Sequence, residues 1–96
     1  MLKLIIRHTQ AIRIESGITR FQYIYAIALD SLGKTDKAIN NLINVHDKYA
    51  TDTDVLYALI KLFQKTGDQD NAKYYAEILT KVSPWDQDAQ AIFNNL

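Results

Sequence analysis

The chain repeats a pattern at an interval of 34 residues, and this period constrains the fold more than any single residue does. Residues 26–38 align with residues 60–72, so that Gly33 matches Gly67 and Ala38 matches Ala72. A fixed period of about 20–50 residues is typical of stacked-repeat proteins, in which one unit cannot bury its apolar face alone. We therefore expect a stack of similar units that works by offering a surface to a partner.

Within each unit, the apolar residues are spaced three and four positions apart, as on one face of an α-helix. Gly33 and Gly67 are each placed to end the first helix of a pair, and Pro84 follows the last paired helix. Four such stripes are expected to face the core: Phe21, Ile24, Tyr25, Ala28, Leu29, Leu32; Ala38, Ile39, Leu42, Ile43, Val45; Val55, Leu56, Leu59, Ile60, Leu62, Phe63; and Ala72, Tyr75, Ala76, Ile78, Leu79, Val82.

Aspartates mark the expected helix starts, where a side-chain acceptor and a negative charge are both favourable. Asp36 is placed to cap the second helix, and Asp52 and Asp86 occupy equivalent positions 34 residues apart. After Asp86, a short amphipathic segment with polar surroundings is typical of a helix that caps a repeat stack. Its apolar residues are Ala89, Ile92, Phe93 and Leu96.

The first seventeen residues fit the same frame, because Ala11 aligns with Val45 and Leu79. Residues 1–17 are therefore expected to form an orphan helix, the second helix of a pair whose first helix is missing. The alternative is a frayed N-terminal segment with a coincidental apolar content. We predict one all-α domain over residues 1–96, with five to six helices in a helix-hairpin stack. Its parts are the orphan helix 1–17, repeat 1 at 19–52, repeat 2 at 53–86 and the capping helix 87–96.

Composition excludes several classes of protein. Eleven basic and eleven acidic residues give a net charge of zero, which argues against a nucleic-acid partner. No apolar stretch approaches the roughly 20 residues of a membrane span. The absence of cysteine favours the cytoplasm without excluding the periplasm, and it removes disulfides and thiolate metal sites.

Catalytic and metal-binding chemistry have little support in the sequence. The two histidines, His8 and His46, have no acidic cluster at ligand spacing, and we expect both to be structural. Three Asp-x-Asp pairs lack the glycine and glutamate of a calcium loop, so helix capping explains them better. No metal, cofactor or enzymatic activity is expected. An enzyme would require strongly shifted pKa values near Lys61, His46 or Tyr57.

Helix pairs with glycine in the turn, alanine five residues later and proline at the unit's end resemble the tetratricopeptide repeat (TPR). Residues 19–52 supply Tyr25-Ala26, Leu29, Gly33 and Ala38, and residues 53–86 supply Leu56, Leu59, Phe63, Gly67, Ala72, Leu79 and Pro84. Gln22 departs from the usual tryptophan, Ile60 from a small residue and Ala50 from proline. The chain is similar to TPR segments of bacterial multidomain proteins, including multihaem cytochromes, although it has no haem motif. It could be a truncated fragment of a larger TPR protein.

The resemblance implies a concave groove lined by the first helix of each pair, where a protein or peptide partner would bind. The groove positions would be Arg20, Tyr23, Ile27, Asp30 and Ser31, then Asp54, Tyr57, Lys61, Gln64 and Lys65. Tyr23 and Tyr57 would lie one above the other, where tyrosine suits either peptide contact or packing between repeats. The lysine and asparagine with which some TPR domains clamp a C-terminal carboxylate are replaced by Tyr23 and Ile27, so that clamp is absent.

Self-assembly is the alternative function. A missing first helix would leave an apolar end incompletely covered, including parts of Phe21 and Tyr25, and such patches are often buried by a second copy. We therefore also expect, as the alternative, a homodimer through the open N-terminal end. The residues assigned to it are Leu2, Leu4, Ile5 and Ile12.

Overall fold

A computed structural model describes the backbone of residues 2–96 and the side chains of residues 17–96. Over residues 2–96 the chain forms five α-helices and no β-strand, which confirms the predicted all-α helical stack. The helices are α1 (Leu2–Ser31), α2 (Thr35–Lys48), α3 (Thr53–Lys65), α4 (Gln69–Val82) and α5 (Gln87–Asn95).

The two repeated glycines close the turns within the helix pairs α1–α2 and α3–α4. Gly33 and Gly67 have φ angles of 78° and 79°, in the left-handed region where a side chain is disfavoured. The N–H of the following residue, Lys34 or Asp68, donates to the carbonyl five residues earlier, at 2.8 or 2.9 Å. This contact satisfies a carbonyl that the helix end would otherwise leave unpaired. The same turn is therefore built twice, at positions 34 residues apart.

Aspartates begin three of the helices. The carboxylates of Asp52, Asp68 and Asp86 each accept a hydrogen bond from the backbone N–H three residues on, at 3.1, 3.2 and 3.3 Å. The expected cap at Asp36 is wrong, because α2 begins one residue earlier and Asp36 lies inside its first turn. Lys34 occupies the capping position there and makes no side-chain hydrogen bond to the helix.

The expected break between an orphan helix at 1–17 and the first repeat does not occur. The helix α1 runs without interruption for 30 residues through this junction. In the 34-residue frame, Ile18 stands where Asp52 and Asp86 cap their helices, so the junction has no acceptor to begin a new helix. Gly17 does not adopt a positive φ and continues the helix. Residues 2–96 thus form five helices, because two of the expected helices are joined into one.

The hydrophobic core is centred on α3, which contacts α1, α2 and α4. Helix α5 packs on α4 and buries Ala89, while Ile92, Phe93 and Leu96 are partly buried against the core. Residues 87–95 therefore form the short amphipathic helix that the sequence predicted after Asp86. The largest fully buried side chains are Leu42, Val55, Leu56, Leu59, Ile60 and Leu79.

The predicted core stripe of α1 is mostly wrong. Thr19 and Ala26 are buried instead, and Tyr23 and Leu29 pack partly against the core. Because α1 carries apolar residues on both sides, the sequence could not say which side meets α2 and α3. The side that faces solvent exposes Phe21 by 65%, Ile24 by 59%, Tyr25 by 48% and Leu32 by 73%.

Candidate protein-interaction cleft

A cleft of about 260 Å³ opens between α1 and α3, the first helices of the two pairs. It contains five of the ten predicted groove residues: Tyr23, Ile27, Asp30, Lys61 and Lys65. Four further residues, Ala26, Leu42, Ala58 and Leu62, complete the lining. The structure therefore brings about half of the predicted groove together in one place. We name this site the α1–α3 cleft.

The inner part of the cleft is apolar. Ala26, Leu42 and Ala58 are each less than 10% exposed, and Leu62 is half-buried beside them. Sequence reasoning placed Leu42 and Leu62 in core stripes, named Ala26 only within the TPR-like pair and did not single out Ala58. It therefore missed that these residues line one cleft. The signal that could have revealed it is the pair of small side chains, one on each facing helix. Alanine at both positions leaves space that larger side chains would fill.

Charged groups occupy the rim of the α1–α3 cleft. Lys65 Nζ lies 2.9 and 3.0 Å from the two carboxylate oxygens of Asp30, joining α3 to α1 across the opening. The Thr35 hydroxyl donates to Asp30 Oδ1 at 2.6 Å. This hydrogen bond, followed by the contact with Lys65, lowers the pKa of Asp30. Lys61 is exposed and has no ion-pair partner within residues 17–96, so one positive charge is left uncompensated at the rim.

A second, polar cavity of about 410 Å³ contains two other predicted groove residues. Arg20 and Asp54 line it together with Gly17, Thr19 and Asp52. The predicted groove is thus divided between an apolar cleft and this polar cavity at the junction of α1 and the start of α3. The carboxylates in this polar cavity belong to Asp52 and Asp54, which lie at the N-terminus of α3. Helix capping already accounts for Asp52.

Tyr57 serves the fold and lines neither cavity. Its hydroxyl donates to Asp86 Oδ2 at 2.6 Å, which ties α3 to the residue that caps α5. This hydrogen bond raises the pKa of Tyr57 to about 12 and lowers the pKa of Asp86. The shift keeps Tyr57 protonated and does not prepare it as a base. Sequence reasoning missed the contact because the two residues are 29 positions apart.

The remaining predicted groove residues lie outside both cavities. Gln64 and Ser31 are exposed on their helices, and the Ser31 hydroxyl donates to its own helix at Ile27 O, 2.9 Å away. The predicted dimer residues Leu2, Leu4, Ile5 and Ile12 lie outside the side chains that the structure describes, as does His8.

His46 belongs to an aromatic cluster away from the cleft lining. Its ring meets Tyr75 edge-on with centroids 5.6 Å apart, and Tyr75 stacks on Phe63 at 5.7 Å. Within the described part of the chain, no group of three or more His, Cys, Asp or Glu residues is placed to hold a metal ion. Within the same part of the chain, no helix has the length and apolar character needed to cross a membrane.

Comparison with protein-family models and with curated proteins gave no significant match.

Proposed function

We propose that this chain is a non-catalytic scaffold that binds a protein partner in the α1–α3 cleft. The bound segment would insert an apolar side chain between the helices and place a carboxylate beside Lys61. The observation that carries this proposal is the combination of a buried apolar floor with an exposed lysine, Lys61, that has no ion-pair partner among the described side chains.

The dimensions of the cleft favour part of a peptide over a small molecule. Pockets for drug-sized ligands are typically about 300–1,000 Å³ and enclose most of the ligand. A volume of about 260 Å³ that opens to solvent accommodates one or two side chains of a longer segment. The Tyr23 ring and Ile27 add apolar contact at the edge of this opening. A partner would therefore be anchored by one residue and held along the helices on either side.

The charges on the rim favour an acidic segment. Asp30 and Lys65 neutralise each other at short distance, whereas Lys61 has no ion-pair partner within residues 17–96. A carboxylate adjacent to the inserted apolar side chain would pair with Lys61 without breaking an existing ion pair. Such rim contacts contribute mainly to specificity and association rate, while the inserted side chain supplies most of the affinity.

The helical arrangement supports a TPR-type assignment as part of the same proposal. Both pairs have the glycine turn and the inward alanine at Ala38 and Ala72, which are fully buried. Zero net charge supports a protein partner over nucleic acid, and the cysteine-free composition supports a cytoplasmic location.

A peptide-display selection on the full chain tests the proposal directly. We expect the enriched sequences to contain an aromatic or aliphatic residue next to Asp or Glu. Lys61→Glu should weaken binding of such a peptide by about tenfold or more, because it replaces attraction with repulsion. Lys73→Glu, a charge reversal at an exposed site on α4, is the matched control and should leave affinity within about twofold.

A second pair of variants separates the cleft from the other face of α1. Ile27→Asp places a charge in the cleft and should abolish binding. Ile24→Asp alters an isoleucine three residues away that is 59% exposed, compared with 48% for Ile27, and should not affect binding. Equal binding by both variants, or no enriched motif, would show that the cleft is not the recognition surface.

A further inference from the structure

A second interaction surface lies on α1, on the side opposite the cleft. Its large apolar side chains follow helical spacing and are between 42% and 73% exposed. Successive helical residues turn by about 100°, so these positions lie well away from Ala26 and Asp30, which face the cleft. We call this surface the α1 stripe, and its members are Ile18, Phe21, Ile24, Tyr25 and Leu32.

The second repeat shows what normally covers this face. In the 34-residue frame Phe21 aligns with Val55 and Tyr25 with Leu59. Phe21 and Tyr25 are 65% and 48% exposed, whereas Val55 and Leu59 are both fully buried. Equivalent positions on two first helices therefore differ completely in burial.

The difference arises from one neighbour. Helices α1 and α3 are equally buried on the side that faces the second helix of their own pair. Ala26 on α1 and its equivalent Ile60 on α3 are both 1% exposed. Helix α3 also contacts α2, the second helix of the preceding pair, and α1 has no such predecessor among the described helices. Residues 35–48 of α2 correspond in the frame to residues 1–14 of this chain. The sequence therefore contains the segment that would cover the α1 stripe.

That segment cannot fold back within the same molecule, because α1 is continuous from Leu2 to Ser31. We propose that two copies exchange it: residues 2–14 of each copy pack on the α1 stripe of the other. The two α1 helices would run antiparallel, and each would take the place that α2 holds against α3. This interface is separate from the α1–α3 cleft, so it goes beyond the proposed scaffold function and leaves the cleft open.

The area available is enough for a stable dimer. The five side chains of the stripe expose on the order of 600 Å² in each copy, and reciprocal exchange buries two stripes together with two covering segments. Stable interfaces bury about 1,200–2,000 Å² in total. A patch of about 600 Å² is also at the upper limit of what single-copy proteins leave exposed.

The chemistry of the stripe suits a helix from a second copy. Ile18, Phe21, Tyr25, Ala28 and Leu32 are spaced alternately three and four residues apart, the spacing of a helix–helix seam. Between residues 17 and 32 the only charged residues are Arg20 and Asp30. Arg20 lines the polar cavity and Asp30 the cleft, so neither charge would be desolvated in the dimer.

Sedimentation equilibrium of the full chain tests association first. We expect a dimer at about 100 µM, and Phe21→Glu/Tyr25→Glu should raise its dissociation constant by about 100-fold or more. Trp85→Glu is the matched control, because Trp85 is 78% exposed but lies outside the stripe, and it should remain dimeric. A monomeric wild-type chain at this concentration would overturn the proposal.

A graft of the missing turn tests the exchange itself. Ser16→Ala/Gly17→Thr/Ile18→Asp copies Ala50-Thr51-Asp52, which precede α3, and supplies the absent cap. We expect a monomer whose residues 2–14 fold back on its own stripe, with a melting temperature independent of concentration. Ile18→Lys disrupts the stripe without supplying a cap, so it should also be monomeric but melt at a lower temperature than the graft.

Each result of this comparison is decisive. A graft that remains dimeric would overturn the exchange, because the covering segment would then have no need of a second copy. A graft that melts no higher than Ile18→Lys would also overturn it, since the segment would not be covering the stripe. Neither outcome bears on peptide binding in the cleft, which the Lys61→Glu variant tests separately.

Discussion

Helices α1 and α3 begin two copies of the same unit, yet they differ in burial. Among the described side chains, α3 has the most buried residues, whereas α1 exposes one side to solvent. At equivalent positions, Leu59 is fully buried and Tyr25 is 48% exposed. Both helices present an apolar stripe at the same positions in the frame. An apolar stripe therefore indicates which face of a helix can be buried, while the neighbouring helix determines whether that face is buried.

Among the predicted changes in stability, the greatest is the difference between substitutions at Leu59 and at Tyr25. Leu59→Ala should lower the free energy of unfolding by about 3 kcal/mol, because it leaves a cavity in the core. Tyr25→Ala should change it by less than about 0.5 kcal/mol when no partner covers the stripe. Urea denaturation followed by circular dichroism in the Ile18→Lys background measures both without a contribution from association. Similar losses at the two sites would contradict the comparison.

The next change in stability comes from replacing Gly17 or Gly67 with alanine. Its sign is opposite inside α1 and in the turn between α3 and α4. Gly67→Ala should destabilise the protein by about 1 kcal/mol, because Gly67 has a φ of 79°. Gly17→Ala should stabilise it by about the same amount, since Gly17 lies inside α1 and a Cβ there would meet no atom within 4 Å. Thermal melts of the two variants beside wild type provide the measurement. A loss of stability in Gly17→Ala would argue against a continuous α1.

These glycines also show how far the sequence alone could lead. Gly33 and Gly67 predicted two turns, because the helix pattern resumes after each of them. Gly17 looked like a junction of the same kind, but a helix start also needs an acceptor, and Ile18 provides none. The all-helical fold and the helix ends at these turns followed from local rules that act within a few residues.

The candidate site was predictable only in part, because it depends on contacts between distant residues. Tyr23, Ile27, Asp30, Lys61 and Lys65 followed from the resemblance and line the cleft. No local rule indicated that the Tyr57 hydroxyl would be held by Asp86, or that the floor would come from core alanines. Which face of α1 meets α2 also depends on the completed stack.

A smaller effect concerns pH. Tyr57 has a pKa raised to about 12 by its hydrogen bond to Asp86, compared with about 10 in an unfolded chain. Because the folded value is the higher one, the contribution of this bond is present below pH 10 and is lost as the pH rises towards 12. Titration of tyrosine absorbance should lose a late component in Tyr57→Phe, whereas the component of Tyr75, whose pKa is also raised by burial, should remain in both proteins. An unchanged late titration in Tyr57→Phe would contradict the assignment to Tyr57.

The smallest expected effect lies at the rim of the cleft. The pKa of Asp30 is lowered, first by the Thr35 hydroxyl and then by Lys65, so Thr35→Val should raise it. Because the folded pKa is the lower one, this contact stabilises the protein above the unfolded pKa near 4 and is lost as the pH falls through the folded value. Carboxyl chemical shifts followed by NMR measure the change. Thr80→Val, on the exposed surface of α4, should leave the Asp30 titration unchanged.

The most direct test of the contrast between α1 and α3 is an isotope-filtered NMR experiment on the full chain. Equal amounts of labelled and unlabelled protein are mixed at about 100 µM, and nuclear Overhauser contacts between copies are recorded for the Tyr25 ring. Helix exchange predicts contacts from Tyr25 of one copy to residues 2–14 of the other, and contacts from Leu59 only within its own copy. A Tyr25 ring with no contact to a second copy would contradict it.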